Sequence, residues 1–356
     1  MVKGMAKKKK RKVKSGALLY LILFVLAVTI GVLSVNKFLN GVSNSKRIEY
    51  SKELDYFGKK LNVKLYVNGE KNGDEIFAEV DKILSHYNQI SNRSQSFDGI
   101  NNIYSINSSN SLQKLSIDAD LYNIIKYSVN WFYGNGQILN INMGNLYNVW
   151  KPYLDSKNGT PSVDEVNKVV GIDMKDVVLY SDNQILAGKV NLDVDDIALA
   201  FALDELKQYF KKVSFDYYYI KADNIYLIGK NIDKDTFDFT IDKADGEGVL
   251  QENSKDIKLN LSNKFVSTSG IYNSYKANDY NIHKTLDFRT RIPANYVKSV
   301  TVVCDDPILG QSLASTLFLI SIEDGQEYMK NFNNVDVVWY TNDDQIITTA
   351  GIKKLR

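Results

Sequence analysis

The sequence predicts an α+β fold: one domain with an antiparallel-rich sheet and packed helices, preceded by a single N-terminal transmembrane helix. Residues 16–35 form a run of 20 residues without a charge, long enough to cross a bilayer core of about 30 Å. Beyond it, short alternating or β-branched runs are interspersed with segments of helical periodicity. The chain is 44% hydrophobic and 24% charged, an ordinary globular composition.

The N-terminal region predicts a membrane anchor. Eight of the 44 Lys and Arg residues lie in the basic segment 1–15, which leaves 36 basic against 42 acidic residues. A basic cluster before an apolar span keeps that end in the cytoplasm. No small-x-small cleavage site follows, so 16–35 is interpreted as an uncleaved signal anchor. Residues 36–53 are predicted to be a tether and 54–356 the domain. We expect a single-pass cell-membrane protein with its main domain extracellular, from a Gram-positive-type bacterium.

Helices are predicted where apolar side chains recur every three to four residues, at 75–90, 117–133 and 195–212. The last of these has acids at its start and lysines at its end, as the helix dipole favours. Strands are predicted, in chain order, at 61–67, 176–180, 185–192, 215–220, 224–228, 300–303, 335–340 and 345–349. Residues 91–116 are interpreted as a loop, and 134–150, rich in Gly and Asn, as too irregular for a helix.

Residues 266–318 contain the strongest candidate for a site. Thr268, Ser269 and Gly270 open the stretch, and a polar loop follows. A β-branched run then precedes a helix that begins at Asp306-Pro307. A loop, a strand and a helix N-terminus in this order are the usual parts of an anion or nucleotide site.

Composition and motifs exclude several other functions. The body is mildly acidic, which argues against binding of nucleic acid. One cysteine, Cys304, and two histidines, His86 and His283, do not suffice for a zinc site of the usual kind. The sequence contains no GxGxxG, GxxxxGK[ST], HExxH or GxSxG motif.

A set of short segments resembles, in order, the motifs of a known family. They are Phe57-Gly58, 102–107, 136–150 (with Gly144, Leu146 and Trp150), 190–204, 266–272, 287–293, 299–303 and 310–318. On these segments the chain resembles the ApbE flavin transferases over residues 55–352. The resemblance implies a single T-fold-related domain. It also implies the family reaction, the Mg²⁺-dependent transfer of FMN from FAD to a Thr or Ser of a partner flavoprotein.

The resemblance also implies a set of site residues. The catalytic candidates are Lys284, at the position of the family histidine, with His283 and Asp287. The candidates for binding the cofactor FAD are Asp204, Thr268, Ser269, Gly270, Tyr272 and Thr290. The family positions for the metal fall on Ala198, Gln311 and Ser315.

The chain departs from the family pattern inside these motifs. Two glycines before a helix are Asp195 and Asp196, a lysine is Leu199, and the metal-binding Asp and Thr are Gln311 and Ser315. Magnesium prefers anionic oxygen ligands, so the departures predict a weakened or lost transferase activity. One alternative is a non-catalytic pseudoenzyme that acts as a flavin-binding or protein-interaction module at the cell surface. Another is a relocated site that uses His283, Asp305 or Asp306.

Overall fold

An eight-stranded sheet forms the centre of the fold, and its strands lie side by side in their order along the chain. The computed structural model describes residues 47–244, 248–252 and 255–356. The strands are β1 (Ile48–Tyr56), β2 (Lys59–Val67), β3 (Tyr218–Ala222), β4 (Ile225–Ile228), β5 (Lys264–Gly270), β6 (Ser299–Cys304), β7 (Asp336–Tyr340) and β8 (Ile346–Thr348). Neighbouring strands from β2 to β8 are antiparallel, which confirms the antiparallel-rich sheet.

Most helices belong to two insertions between neighbouring strands of this sheet. They are α1 (Glu70–Ser91), α2 (Ile103–Asn107), α3 (Ala119–Gly134), α4 (Gly144–Ser156), α5 (Val163–Asn167), α6 (Asp195–Lys212), α7 (Pro307–Phe318) and α8 (Ile322–Met329). The first six lie between β2 and β3, and the last two between β6 and β7. The predictions at 75–90, 117–133 and 195–212 are confirmed by α1, α3 and α6. The α+β class is therefore also confirmed.

The central strands are buried on both faces of the sheet. In β6, Val300 and Val302 belong to the large core on the helical side, while Val303 belongs to a second core. Successive side chains of a strand point to opposite faces. The second face is covered by a hairpin of Phe237–Thr240 and Lys258–Leu261. Double coverage explains the continuous β-branched run at 300–303.

Short strands complete the structure around the central sheet. Gln113–Ser116, Gln184–Ala187 and Leu179–Tyr180 form a three-stranded sheet. The remaining pairs join Gln251–Glu252 with Lys255–Asp256, Tyr275–Ala277 with Tyr280–Ile282, and Leu286–Asp287 with Ile292–Pro293. Two 3₁₀ helices span Met174–Asp176 and Ala350–Lys354.

The structure corrects the interpretation of residues 134–150 as too irregular for a helix, because α4 begins at Gly144. Leu146 and Trp150, four residues apart, share its buried face. A Cβ at Gly144 would lie 2.0 Å from Oδ1 of Asn191, so this glycine permits the close approach of α4 to the 191 segment. Tertiary contact stabilises a helix that local propensity does not favour.

Other segments also differ from their predictions. The strands predicted at 176–180 and 185–192 are limited to Leu179–Tyr180 and Gln184–Ala187. Residues 91–116 contain α2 and the strand Gln113–Ser116 in addition to loop. Residues 48–53, assigned to the tether, belong to β1. The predicted basic segment 1–15 and signal anchor 16–35 lie outside the described residues. Within the part of the chain that the structure describes, no helix combines the length and the apolar character needed to cross a membrane.

Candidate functional site

A cavity of about 660 Å³ opens beside the N-terminal end of α6. Its walls come from the β1–β2 turn, α3, the segment before and within α4, the 284–288 loop and α7. Ligand sites of proteins commonly enclose roughly 300–1,000 Å³. The cavity therefore has the size of a site for a cofactor or another large ligand.

Three carboxylates lie where α6 begins. Asp196 forms an ion pair with Lys59, Nζ to Oδ1 3.1 Å, and the Lys59 side chain is only 9% exposed. Asp193 forms an ion pair with Arg93. Asp195 forms no ion pair with a described residue. Two of the three negative charges are thus neutralised by cations that come from distant parts of the chain.

This arrangement moves the pKa values of the two aspartates in opposite directions. Burial raises the pKa of Asp195 to about 7, and the negative charges of Asp193 and Asp196 act in the same direction. Burial also raises the pKa of Asp196, but the charges of Lys59 and Lys284 outweigh this effect and lower it to about 2. At neutral pH Asp196 is therefore ionised, while Asp195 binds a proton much more readily than Asp196 does.

Two aromatic side chains form another wall of the same cavity. Tyr127 and Trp131, one turn apart on α3, stack with ring centroids 5.9 Å apart and an interplanar angle of 25°. Trp131 Nε1 donates to Thr316 Oγ1 at 3.0 Å, and the Tyr127 hydroxyl lies 3.0 Å from Ser312 Oγ. Both partners are on α7, so the two rings are fixed against a second helix.

Of the three catalytic candidates, Lys284 lines the cavity. Within the described residues it forms no hydrogen bond and no ion pair. His283 is 1% exposed and lies outside the cavity lining. Its Nε2 donates to the Ala294 carbonyl at 2.7 Å, and its Nδ1 accepts from the Thr285 N–H at 3.3 Å. Burial lowers the pKa of His283 to about 4, so the ring is neutral and both nitrogens are engaged.

The third candidate, Asp287, anchors the loop that follows. It is 1% exposed and forms a bidentate ion pair with Arg289, at 2.9 and 2.7 Å. Arg291 has a positive φ of 64°, a conformation that glycine adopts most readily. Its guanidinium donates to the carbonyls of Val166, Asn167 and Val169, which stabilises this conformation.

The cofactor-binding candidates divide between the cavity and the interior. Ser269 lines the cavity. Thr268 is buried in β5, with its Oγ1 2.9 Å from Thr301 Oγ1. A Cβ at Gly270 would lie 2.7 Å from that of Ala244, so the glycine permits close packing there.

The other three candidates lie outside the cavity lining. Asp204 is half-buried on α6, and burial, together with Asp306, raises its pKa. Tyr272 packs against the main core. Thr290 Oγ1 donates to the Asp287 carbonyl at 3.4 Å.

The residues at the metal positions that the motif resemblance implies are neutral, and two of them, Gln311 and Ser315, bond to each other. Gln311 is 3% exposed, and its Oε1 accepts from Ser267 Oγ at 2.7 Å. Its Nε2 donates to Ser315 Oγ at 3.1 Å. Ala198 is fully buried in α6. Magnesium requires octahedral oxygen ligands and is usually held by at least one carboxylate. This donor set supplies none, so these residues do not fit the metal.

The residues of the relocated-site alternative lie elsewhere. Asp305 pairs with Lys264 at 2.7 Å, and the Asp306 side chain accepts from the Leu309 N–H at the start of α7. Neither lines the cavity. Asp306 thus has the helix-capping role that its position before Pro307 favours.

Several cavity residues were missed by reasoning from the sequence. The sequence could have indicated Lys59, because it directly follows the motif Phe57-Gly58. Both of these residues have positive φ, 56° and 63°, as in a two-residue hairpin turn. Arg93 and the Tyr127–Trp131 pair had no signal that separates them from surface or core residues.

An aromatic wall, a cation and charged groups at a helix N-terminus line one cavity and define the class of the site. It suits a large ligand that is aromatic in one part and anionic in another, as nucleotide cofactors are. The family model of the ApbE family matches residues 57–339. The chain therefore belongs to the ApbE family, as its motifs predicted.

Two relatives are both named FAD:protein FMN transferase. The one from Buchnera aphidicola is 26% identical over 220 residues, 59% of this chain and 64% of the relative. The one from Klebsiella pneumoniae is 20% identical over 318 residues, 87% of this chain and 94% of the relative. The chain thus spans a little under two thirds of the Buchnera relative.

Solved structures show the same fold. The ApbE protein from Thermotoga maritima aligns with a TM-score of 0.73 at 19% identity, over 86% of this chain and 99% of that chain. The flavin transferase ApbE from Vibrio cholerae aligns with a TM-score of 0.73 at 17% identity, over 87% and 100%. These alignments confirm the predicted ApbE-like α+β fold.

Proposed function

We propose that the chain binds FAD in the 660 Å³ cavity and transfers its FMN half to a Ser or Thr hydroxyl of a partner flavoprotein. The observation that carries the proposal is that Lys284 and the Tyr127–Trp131 pair line one cavity together with residues of several family segments. The rings suit the isoalloxazine of a flavin. The ammonium group suits the diphosphate.

The transfer balances without a further reactant. The acceptor oxygen attacks the phosphorus of the FMN half, the bond from that phosphorus to the bridging oxygen breaks, and AMP leaves. Lys284 offsets the negative charge on the phosphoryl oxygens, the main requirement of phosphoryl transfer. Asp195, whose pKa of about 7 lies near neutral pH, accepts the proton of the hydroxyl. His283 and Asp287 hold the loop that carries Lys284.

The proposed setting is the outer face of the cell membrane. The apolar run 16–35 and the basic residues before it favour a signal anchor that leaves residues 54–356 outside. The partner is then a flavoprotein on the same side of the membrane. We include no step through magnesium, because Gln311 and Ser315 do not fit it.

Two measurements on the full chain in detergent test this proposal. The first is a titration with FAD, followed by flavin fluorescence. We expect saturation below about 1 mM, the weak end of ordinary affinities. The second is incubation with FAD and membrane proteins from the same cells. We expect AMP release and covalent flavin fluorescence after denaturing electrophoresis. Absence of saturation at 1 mM would refute the proposal.

The second candidate function is a pseudoenzyme that binds flavin or a partner protein without transfer. The neutral Gln311 at the family metal position favours it, because charge neutralisation dominates catalysis of phosphoryl transfer. Saturable FAD binding without covalent flavin on any acceptor would support this candidate over the transferase.

A further inference from the structure

The Ser267–Gln311–Ser315 network is a closed set of hydrogen bonds at the place where a metal would be expected. Ser267 Oγ donates to Gln311 Oε1 at 2.7 Å, and Gln311 Nε2 donates to Ser315 Oγ at 3.1 Å. Ser267 and Gln311 are 1% and 3% exposed. A cation at the amide oxygen would compete with the hydrogen bond from Ser267, and the network itself offers it only neutral oxygens. The buried amide is satisfied without a metal.

The positive charge of the cavity comes from side chains. Lys59 is paired with Asp196, Arg93 with Asp193, and Lys151 with Asp155. Among the cations that line the cavity in the described part of the chain, Lys284 is the one with no ion pair. Its ammonium group interacts with Asp196 only through longer-range charge attraction, so it is available to an anionic ligand without loss of an ion pair.

We propose that the cavity binds the diphosphate of its ligand without a divalent metal, through Lys284, and that the Ser267–Gln311–Ser315 network occupies the former metal position. This inference rests on the proposed function and deepens it. A single ammonium group replaces part of the charge that a divalent ion would supply. Binding then depends on one lysine and weakens with salt, as expected for a partly exposed charge.

The first test is a titration of the full chain with FAD and with ADP, a diphosphate without flavin. Each titration is done once in EDTA and once in millimolar Mg²⁺. We expect the dissociation constants in EDTA and in Mg²⁺ to agree within about threefold, because no metal takes part in binding. A threefold ratio corresponds to less than about 1 kcal/mol of binding free energy. Binding more than tenfold tighter in Mg²⁺ would overturn the inference and leave the proposed function intact. If FAD bound in neither condition, the proposed function itself would fail.

A charge variant tests the role of Lys284. In EDTA, Lys284→Gln is expected to weaken FAD and ADP binding about tenfold and to flatten the salt dependence. The matched control is Lys60→Gln, because Lys60 is 70% exposed, pairs with Glu53 and lies outside the cavity lining. Equal affinities of Lys284→Gln and the control would contradict the proposal.

A second test needs no nucleotide. Mn²⁺ binding is measured by electron paramagnetic resonance in a His86→Ala background. This variant removes a ligand of the His86, Asp118 and Asp120 group, whose potential ligand atoms lie within 4.8 Å of one another. In this background we expect the same Mn²⁺ binding with Gln311 and with Gln311→Leu, because Gln311 holds no metal. We expect one additional Mn²⁺ site in Gln311→Asp. Bound Mn²⁺ that disappears in Gln311→Leu would show that Gln311 holds a metal and would overturn the proposal.

Discussion

Two walls of the cavity hold their polar groups in different ways. At the start of α6, where the motif resemblance implies two family glycines, Asp196 pairs with Lys59 of β2 and Asp195 has no ion pair in the described residues. On α7, where the resemblance implies a metal-binding carboxylate, Gln311 bonds only to neutral hydroxyls. The first is the charged wall, and its charges are only partly paired. The second is the neutral wall, and its polar atoms bond to one another. The difference teaches that buried neutral groups are satisfied by hydrogen bonds alone, whereas buried carboxylates also need cations.

The largest loss of stability is expected from a substitution in the charged wall, at the start of α6. Lys59→Met keeps the aliphatic stem but leaves Asp196 without its partner and next to Asp195. Removal of one partner of a buried pair costs roughly 3–5 kcal/mol. The Asp196 side chain is 46% exposed, so water recovers part of the loss and we expect about 2–3 kcal/mol. Urea unfolding measures this value.

The control for Lys59→Met is Lys60→Met, the neighbouring residue on the same strand. Its pair with Glu53 is exposed, 70% and 50%, and exposed pairs contribute about 0–1 kcal/mol. Equal losses in the two variants would show that the Lys59 pair behaves as a surface pair.

The neutral wall should respond less. Gln311→Leu leaves the Ser267 hydroxyl, 1% exposed, without its acceptor. An unsatisfied buried polar group costs about 1–3 kcal/mol, and the leucine returns part of this by apolar burial. We expect a loss of about 1–2 kcal/mol in the free energy of unfolding. If Gln311→Leu lost more free energy of unfolding than Lys59→Met, the neutral wall would contribute more to stability than the charged wall, contrary to this expectation.

The charged wall should also make the stability of the protein depend on pH, which the neutral wall should not do. The folded pKa of Asp195, about 7, lies above the value of about 3.9 in an unfolded chain. The folded protein therefore binds more protons between pH 4 and 7, and the stability from this group falls as pH rises through that window.

Asp195→Asn should remove this fall. The groups that face Asp195 are Asp193, Asp196, Arg93 and Lys59, and all of them remain in the variant. We expect its melting temperature to exceed that of the wild type at pH 8 by a few degrees, with the gap closing toward pH 4. If the difference in melting temperature between wild type and Asp195→Asn were the same at every pH from 4 to 8, the raised pKa of Asp195 would be contradicted.

The smallest effect should come from the rim of the neutral wall. Ser315→Ala removes the acceptor of Gln311 Nε2, but Ser315 is only half-buried and lines the cavity. Water in the cavity is able to accept that hydrogen bond, so we expect a loss below about 1 kcal/mol. Urea unfolding of this variant beside Gln311→Leu tests whether the network is anchored at Ser267 or at Ser315.

The sequence by itself determined the antiparallel-rich sheet, the long helices and the family. Alternation in strands and the charge pattern of α6 are local consequences of side-chain direction and the helix dipole. They are readable without a structure. The short motifs also indicated part of the cavity lining, including Phe57-Gly58, Ser269 and Gln311, because each motif lies within a single local segment.

Only the tertiary structure decided which residues became partners. Arg93 and Asp193 are 100 residues apart, and their pairing depends on how α1 and α6 pack. Helix α4 formed in a segment of low propensity because Leu146 and Trp150 found a buried surface. His283 is buried in the interior, whereas its neighbour Lys284 lines the cavity. Contacts between distant segments carry no periodic signal, so side-chain partners follow from the packing of the chain.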